Sequence, residues 1–289
     1  MLLFIGYLVV IGSTLGGYLM VGGHLAVLLQ PAELLIICGS AVGAFLAGNN
    51  GKAIKATGKA FSKLKRTRGY NKSLYMEVIG LLYLLLSRAR QQGMLAIEQD
   101  IDNPQESALF VEYPRLLSDP ILMNFITDYL RLMVSGNMDP FELESLMEHE
   151  IETFKHETEI PVHSLSAVAD GLPAFGIVAA VMGVVHALAS ADQGAAQLGV
   201  LIANAMVGTF LGILLAYGFV TPVANKIQHE VHEAVKMMQC IRVILMASLN
   251  GYAPQVAVEF GRKALFTAER PSFNELEEHV REIKNKGAG

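Results

Sequence analysis

The sequence predicts an all-α integral membrane protein: four transmembrane helices, a helical cytoplasmic domain between the second and third, and further cytoplasmic helices at the C-terminus. Three observations carry this. Four apolar segments stand out, at about 2–20, 33–48, 173–189 and 198–221. At the rise of an α-helix, sixteen to twenty-four residues reach roughly 24–36 Å, which brackets a hydrocarbon core of about 30 Å. All 22 Lys and Arg lie outside these segments, thirteen within 49–172 and nine within 222–289, with none in the linkers 21–32 and 190–197. The stretches between the spans carry helix caps and helical apolar spacing.

Taken in order, residues 1–48 hold the first two spans. The first has no basic stretch ahead of it and no clear cleavage site, so it reads as a retained span. Basic residues stay cytoplasmic beside membrane spans. Both termini and the central segment are therefore expected inside, with two short loops outside.

The cytoplasmic segment 49–172 opens with eight basic residues between Lys52 and Lys72 and no acid. That run reads first as an anchor on anionic headgroups, and second as a site for an acidic partner. The apolar run 78–86 is too short to span and too continuous for a surface helix, which predicts a buried helix closed by Gly93. Arg88 and Arg90 fall in its last turn, where cations suit the helix dipole. Glu98, Asp100, Asp102 and Glu106 follow. By pattern alone this is internal charge solvation, with a charged docking face as the other reading. Asp139, Pro140 and Glu142 mark a helix start. Eight acids and one Lys between 139 and 159 give that helix a solvated acidic face beside a stripe of Phe141, Leu143, Leu146, Met147, Ile151 and Phe154. His149 and His156 have no cysteine nearby to complete a ligand set, so no metal site is expected.

The spans 173–221 carry faces of small residues. Gly176, Ala180, Gly183 and Ala187 are spaced four, three and four apart, and Gly208, Gly212 and Ala216 every four. Such faces let helix backbones approach closely in lipid. Pro173 and Pro222 fall at the cytoplasmic ends of their spans. Each reads as a helix boundary first and as a kink second, and for Pro222 the freed acceptor would be the Gly218 carbonyl. Glu33 and Asp170 lie at span ends, which leaves no carboxylate expected at mid-depth. A chain that moves ions needs an ionisable group there, so the titrating acid is expected from another chain. The tail 222–289 ends in a helix opened by a Ser272–Glu275 capping box. It has a stripe of Phe273, Leu276, Val280 and Ile283 and the pairs Glu277–Arg281 and Glu282–Lys286. Cys38 and Cys240 are expected to pack rather than to pair. The net charge of −5 gives no reason to expect nucleic-acid binding. No phosphate-binding loop, nucleophile elbow, HExxH or CxxC motif occurs, so no enzyme is expected.

LPAFGIVAAVMGVVHAL, AMVGTFLGILLAYGF, QPAEL, GNNGKAIK and NGYAP…VEFGRK…ERPSFNELEEHV together resemble the MotA family, the four-span subunits of the bacterial flagellar stator, over about residues 5–284. The resemblance implies a homo-oligomeric ring, a pentamer, in the inner membrane. The ring surrounds the single spans of a MotB-type, peptidoglycan-binding partner that supplies the ion-binding aspartate. It implies protons as the coupling ion, no cofactor, and force delivered to the rotor protein FliG. It assigns Pro173 and Pro222 to coupling, Ala180, Thr209 and Tyr217 to the ion path, and Arg90 and Glu98 to rotor contact. Ala180, where sodium-driven relatives tend to carry a hydroxyl, favours protons. The alternative is a ring like ExbB or TolQ that energises envelope processes; three spans and a different loop order set that group apart.

Overall fold

The computed structural model describes residues 2–64, 69–136, 138–190 and 194–286, and not the side chains of Lys63 and Lys286. Much of the basic run, from Lys63 to Arg68, and the pair Glu282–Lys286 therefore lie outside the described residues. Every regular element among those described is helical: α1 (Leu2–Met20), α2 (Leu25–Leu28), α3 (Pro31–Gly48), α4 (Gly51–Lys63), α5 (Lys72–Gln92), a 3-10 turn Met94–Ile97, α6 (Glu98–Asp102), α7 (Ala108–Val111), α8 (Pro114–Leu117), α9 (Pro120–Ser135), α10 (Pro140–Ala189), α11 (Ala195–Ile213), a wide π-type run Leu214–Val220, α12 (Thr221–Leu249), α13 (Pro254–Ala264) and α14 (Phe273–Lys286). Among the described residues, four stretches are long and apolar enough to cross a membrane: Leu2–Met20, Leu25–Gly48, and parts of Pro140–Ala189 and Ala195–Leu249.

Two expectations about boundaries are corrected. The apolar stretch long enough for the second span reaches back to Leu25, ahead of 33, and the helix that carries residue 33 starts at Pro31. Short α2 continues the apolar run, and Pro31 opens α3 at a position where its missing N–H costs nothing. The junction 172/173 is no helix end, because α10 runs through Pro161 and Pro173 for 50 residues.

The described chain forms two compact units, residues 1–67 with 158–229, and 68–157 with 230–289. In the first, Ile37, Ala41, Leu172, Ala179 and Ala216 form a small core flanked by Val168, Phe175 and Leu215. Large apolar side chains stay exposed around it: Phe4 at 68 % and Leu8 at 70 % on α1, Val181 at 56 % on α10. An exposed apolar surface of this kind suits lipid or other helices. Cys38 is exposed as well. The joint between α3 and α4 is held by polar caps. Asn50 Oδ1 accepts from the Ala53 N–H at 2.9 Å, and Ser164 Oγ on α10 donates to Asn49 Oδ1 at 2.7 Å.

In the second unit the apolar run of α5 is the core. Val78, Ile79, Leu81, Leu82, Leu85 and Leu86 are buried, and Gly93 closes the helix at φ 91°. The Asp139 carboxylate caps α10 through the Phe141 N–H at 2.8 Å. On α10, Leu143, Met147 and Ile151 are buried, whereas Phe141 is 79 % exposed. Helix α14 docks Leu276, Val280 and Ile283 but leaves Phe273 exposed. A methyl group on Gly80 would meet Ile283 Cδ1 at 2.8 Å, so α5 keeps a notch for that residue.

The capping box at the start of α14 is complete. Glu275 accepts from the Ser272 N–H at 2.6 Å, and its own N–H donates to Ser272 Oγ at 3.2 Å. Lys72 Nζ reaches the same carboxylate at 2.7 Å. The Lys72 hydrogen bond, then those from Ser272, hold the Glu275 carboxyl down at about 2. A depressed folded value stabilises above the unfolded value and loses that stabilisation as pH falls through the folded one. Docking of α14 is therefore expected to weaken progressively from about pH 4.5 toward 2, and Glu275→Gln to flatten that acid limb. Hydrogen exchange along 273–283 against pH reads it; an acid limb of unchanged slope in the variant contradicts it.

Candidate functional site

The small-residue faces of α10 and α11 meet backbone to backbone. A methyl group placed on Gly176 would stand 2.7 Å from the Gly208 carbonyl oxygen and 3.1 Å from Gly212 Cα. One on Gly212 would stand 2.7 Å from the Leu172 carbonyl oxygen and 3.0 Å from Gly176 Cα. One on Gly183 would meet Ala205 Cβ at 2.6 Å. The two helices run antiparallel along this seam, from Leu172 opposite Gly212 to Gly183 opposite Ala205, over roughly 17 Å of helix rise. Only residues without a side chain, or with a methyl, allow so close an approach.

The seam gathers three of the residues singled out in the sequence. Pro173 follows the Leu172 carbonyl that abuts Gly212. The Ala180 backbone nitrogen lies 3.3 Å from a methyl position on Gly208, and Thr209 Cα lies 3.4 Å from one on Gly176. Tyr217, in the wide run, is 60 % exposed and points away from the core. Arg90 and Glu98 belong to the other unit and are both exposed. Their neighbours are already paired: Arg88 with Asp100 at 2.8 Å, and Arg131 with Asp102 at 2.8 Å. Among the described residues, Arg90 makes a 3.4 Å contact to the Gly251 carbonyl and no ion pair. Internal charge solvation thus describes Arg88 and leaves Arg90 and Glu98 facing water.

Pro173 marks no helix boundary, whereas Pro222 stands where the wide run gives way to α12. Pro173 sits deep inside α10, and Pro222 is the second residue of α12, directly after the wide run. There the Thr221 N–H reaches back to the Ala216 carbonyl, one residue further than in an α-helix. A π-type turn just before a proline gives its ring room beside the preceding turn, where an ideal α-helix would place a carbonyl against it. The Tyr7 hydroxyl from α1 donates to the Phe219 carbonyl at 2.8 Å, and the two rings lie 5.0 Å apart. Helix α1 thereby supplies a donor beside the proline.

Sequence reasoning missed one side chain. Glu33 lies in the first turn of α3, eight residues after the start of the apolar stretch at Leu25. Its side chain is 8 % exposed and enters the seam. Its Oε2 lies 3.0 Å from a methyl position on Gly208, and its Oε1 3.7 Å from one on Gly183. Oε2 has no hydrogen-bond partner among the described residues. The apolar LAVLL at 25–29 was the available signal that the span starts earlier. Among the described residues, no group of three or more His, Cys, Asp or Glu gathers at metal-binding distance.

Residues 4–93 match the family description "Motility protein A N-terminal", and residues 118–240 match "MotA/TolQ/ExbB proton channel family". Motility protein A of Salmonella typhimurium is 61 % identical over 285 residues, covering 99 % of this chain and 97 % of the relative. The Escherichia coli protein of the same name is 60 % identical over the same shares. Chemotaxis protein LafT of Vibrio parahaemolyticus is 36 % identical over 279 residues, 96 % of this chain and 98 % of that one. The solved structure of C. jejuni MotAB shares the fold, with a TM-score of 0.79 at 21 % identity over 94 % of this chain and 98 % of that one. The flagellar MotAB stator complex from Bacillus subtilis does so with a TM-score of 0.76 at 23 % identity over 95 % and 98 %.

Proposed function

The chain belongs to the Motility protein A family and is a stator subunit of the proton-channel class, and we propose that several copies, five in the ring the sequence resembles, surround the membrane helix of a MotB-type, peptidoglycan-binding partner. Protons crossing the inner membrane along that interface move the ring, and its cytoplasmic face pushes the rotor protein FliG. Both termini and the segment between the second and third spans lie in the cytoplasm. The proton is the coupling ion, and no cofactor takes part.

The observation that carries this reading is the seam. Two helices locked backbone to backbone form a rigid wall, with Pro173, Ala180 and Thr209 along it and Pro222 beyond. In this reading Ala180, Thr209 and Tyr217 border the ion path. Pro173 and Pro222 are the points where the long helices yield when the partner's carboxylate changes charge. One elementary charge falling through 100 mV releases about 2.3 kcal/mol, enough to shift a two-state helix pair. The exposed faces of α10 and α11, with Ile177, Val181 and Met206 among them, supply apolar surface for neighbouring copies and the partner. The description shared with TolQ and ExbB covers residues 118–240 only, whereas residues 4–93 match Motility protein A and favour the motor over envelope energisation.

Copurification tests the assembly. The tagged full chain, solubilised in mild detergent, is expected to bring down a single-span protein with a membrane aspartate and a peptidoglycan-binding domain. Recovery of the chain alone, as a monomer, contradicts the reading.

A further inference from the structure

We propose that the groove where α3, α4 and α10 meet binds one anionic phospholipid, with an acyl chain in the groove and the headgroup on the lysines of α4. The proposal rests on the cytoplasmic placement of the segment after the second span, and not on the motor itself.

The groove is apolar and has a volume of about 340 Å³, a size usual for small-ligand sites. Val42 and Phe45 line it from α3, Ile54 and Phe61 from α4, and Leu165 and Val168 from α10, all within the first unit. Its one hydroxyl-bearing side chain, Thr57, donates to the Ala53 carbonyl at 2.9 Å. Among the described residues, no lining side chain therefore calls for a hydrogen-bonding ligand. The mouth is open: Val42 is 57 % and Phe61 47 % exposed, and a methyl group on Gly58 would meet nothing within 4 Å. An alkyl chain in this slot removes apolar surface from water. An extended protein segment would instead bring backbone N–H and C=O groups that the lining cannot match.

Charge identifies the headgroup. Helix α4 carries Lys52, Lys55 and Lys59, all exposed, and no acid. At about 100° per residue these three fall within about 60° of one another, and Lys55 stands about 60° round the helix from Gly58. The lysines therefore flank the groove. Asn49 and Asn50 alone separate α4 from the end of α3, which puts the lysines level with the headgroups and the groove beside the first part of the acyl region. An amphipathic helix with this pattern lies in the membrane interface. Each lysine beside an anionic leaflet strengthens binding about fivefold. A zwitterionic lipid fits the slot but lacks that attraction.

The bound chain touches α10 at Val168, which packs on the small core beside Leu172 and Ala179. Headgroup and acyl chain together fasten α4 to the long helix, about one and a half turns before Pro173. Loss of the lipid is expected to loosen α4 without unfolding the joint, because the Asn50 cap and the Ser164–Asn49 bond remain.

The test uses the full chain with its partner, reconstituted in phosphatidylcholine vesicles. A trace of phosphatidylglycerol or of phosphatidylcholine, each with a diazirine in the acyl chain, is photolysed, and the labelled residues are read by peptide mass spectrometry. Phosphatidylglycerol is expected to label the groove, at Val42, Phe45 and Phe61, at least about tenfold more than phosphatidylcholine does. Lys52→Gln, Lys55→Gln and Lys59→Gln together are expected to bring that ratio to about one. Gly58→Leu fills the open slot and is expected to lower groove labelling several-fold, while labelling of exposed Leu8 on α1 stays unchanged. Equal labelling of the unaltered chain by both lipids overturns the proposal, since any bilayer lipid would then serve. So does groove labelling untouched by Gly58→Leu, and so does a groove that takes no label because a neighbouring copy or the partner covers it. If Gly58→Leu does not accumulate, the two-lipid ratio and its loss in the lysine variant still decide. None of these readouts depends on rotation, so their failure leaves the stator reading standing, and a chain that drives no motor leaves the lipid site to be judged by its labelling.

Discussion

A Gly212→Val chain is expected to be largely lost from the membrane and to leave its cells non-motile. The methyl groups of valine have no space, because even Cβ would sit 2.7 Å from the Leu172 carbonyl oxygen and 3.0 Å from Gly176 Cα. Both are backbone atoms of a helix, so no rotamer change relieves the clash. Overpacking of this kind costs about 1–3 kcal/mol and sometimes more. In lipid there is little hydrophobic drive to hold the helices together against it, since close packing is itself the attraction. Gly176→Val is expected to match it. Gly199, with nothing within 4 Å of a methyl position, is the control, and Gly199→Ala is expected to leave chain level unchanged. Gly218→Ala is expected to be tolerated, because the nearest atom is the Val10 side chain at 3.1 Å, which can give. Immunoblots of membranes beside swimming rates read the series. Normal level and motility in Gly212→Val would show that the seam does not hold the spans.

Reversing the exposed charges separates folding from force. Arg90→Glu combined with Glu98→Lys is expected to abolish swimming at unchanged chain level and unchanged partner copurification. Neither residue has an ion pair among the described residues, so the fold loses only the weak Arg90 contact to Gly251. Exposed charges contribute little to stability but much to docking rate and partner choice, where like charges set against each other cost several kcal/mol. Rescue by reversed charges on FliG is expected. As a contrast, Arg88→Glu breaks the 2.8 Å pair with Asp100 and is expected to disturb the α5–α6 turn itself. A reversed pair that swims normally removes these residues from the rotor contact.

Much of this architecture was legible because it is written locally. The run 78–86 contains too many adjacent apolar residues to face water on any side, and it is the core of its unit. Ser272 and Glu275 stand three apart before an apolar repeat, and they form both bonds of the capping box. Glycines and alanines spaced three and four apart on two neighbouring spans foretold the seam. What escaped depends on contacts distant in sequence. The Tyr7 bond to Phe219 joins residues 212 positions apart, and no local pattern announces it. The wide run before Pro222 exchanges one hydrogen-bond register for another, which leaves no mark on composition. Pro31 opens α3 and sets Glu33 in its first turn, but the burial of that side chain against Gly208 depends on a helix far along the chain. Phe273 joined an apolar stripe by spacing, yet it lies at the first position of α14 and stays 57 % exposed.

The most direct test removes the chain and looks at the motor. Cells that lack it, and any second stator set, are expected to build complete flagella that do not turn, and re-expression is expected to restore rotation in discrete steps of speed as units join. Filaments that rotate at normal speed without it would contradict its place in the motor.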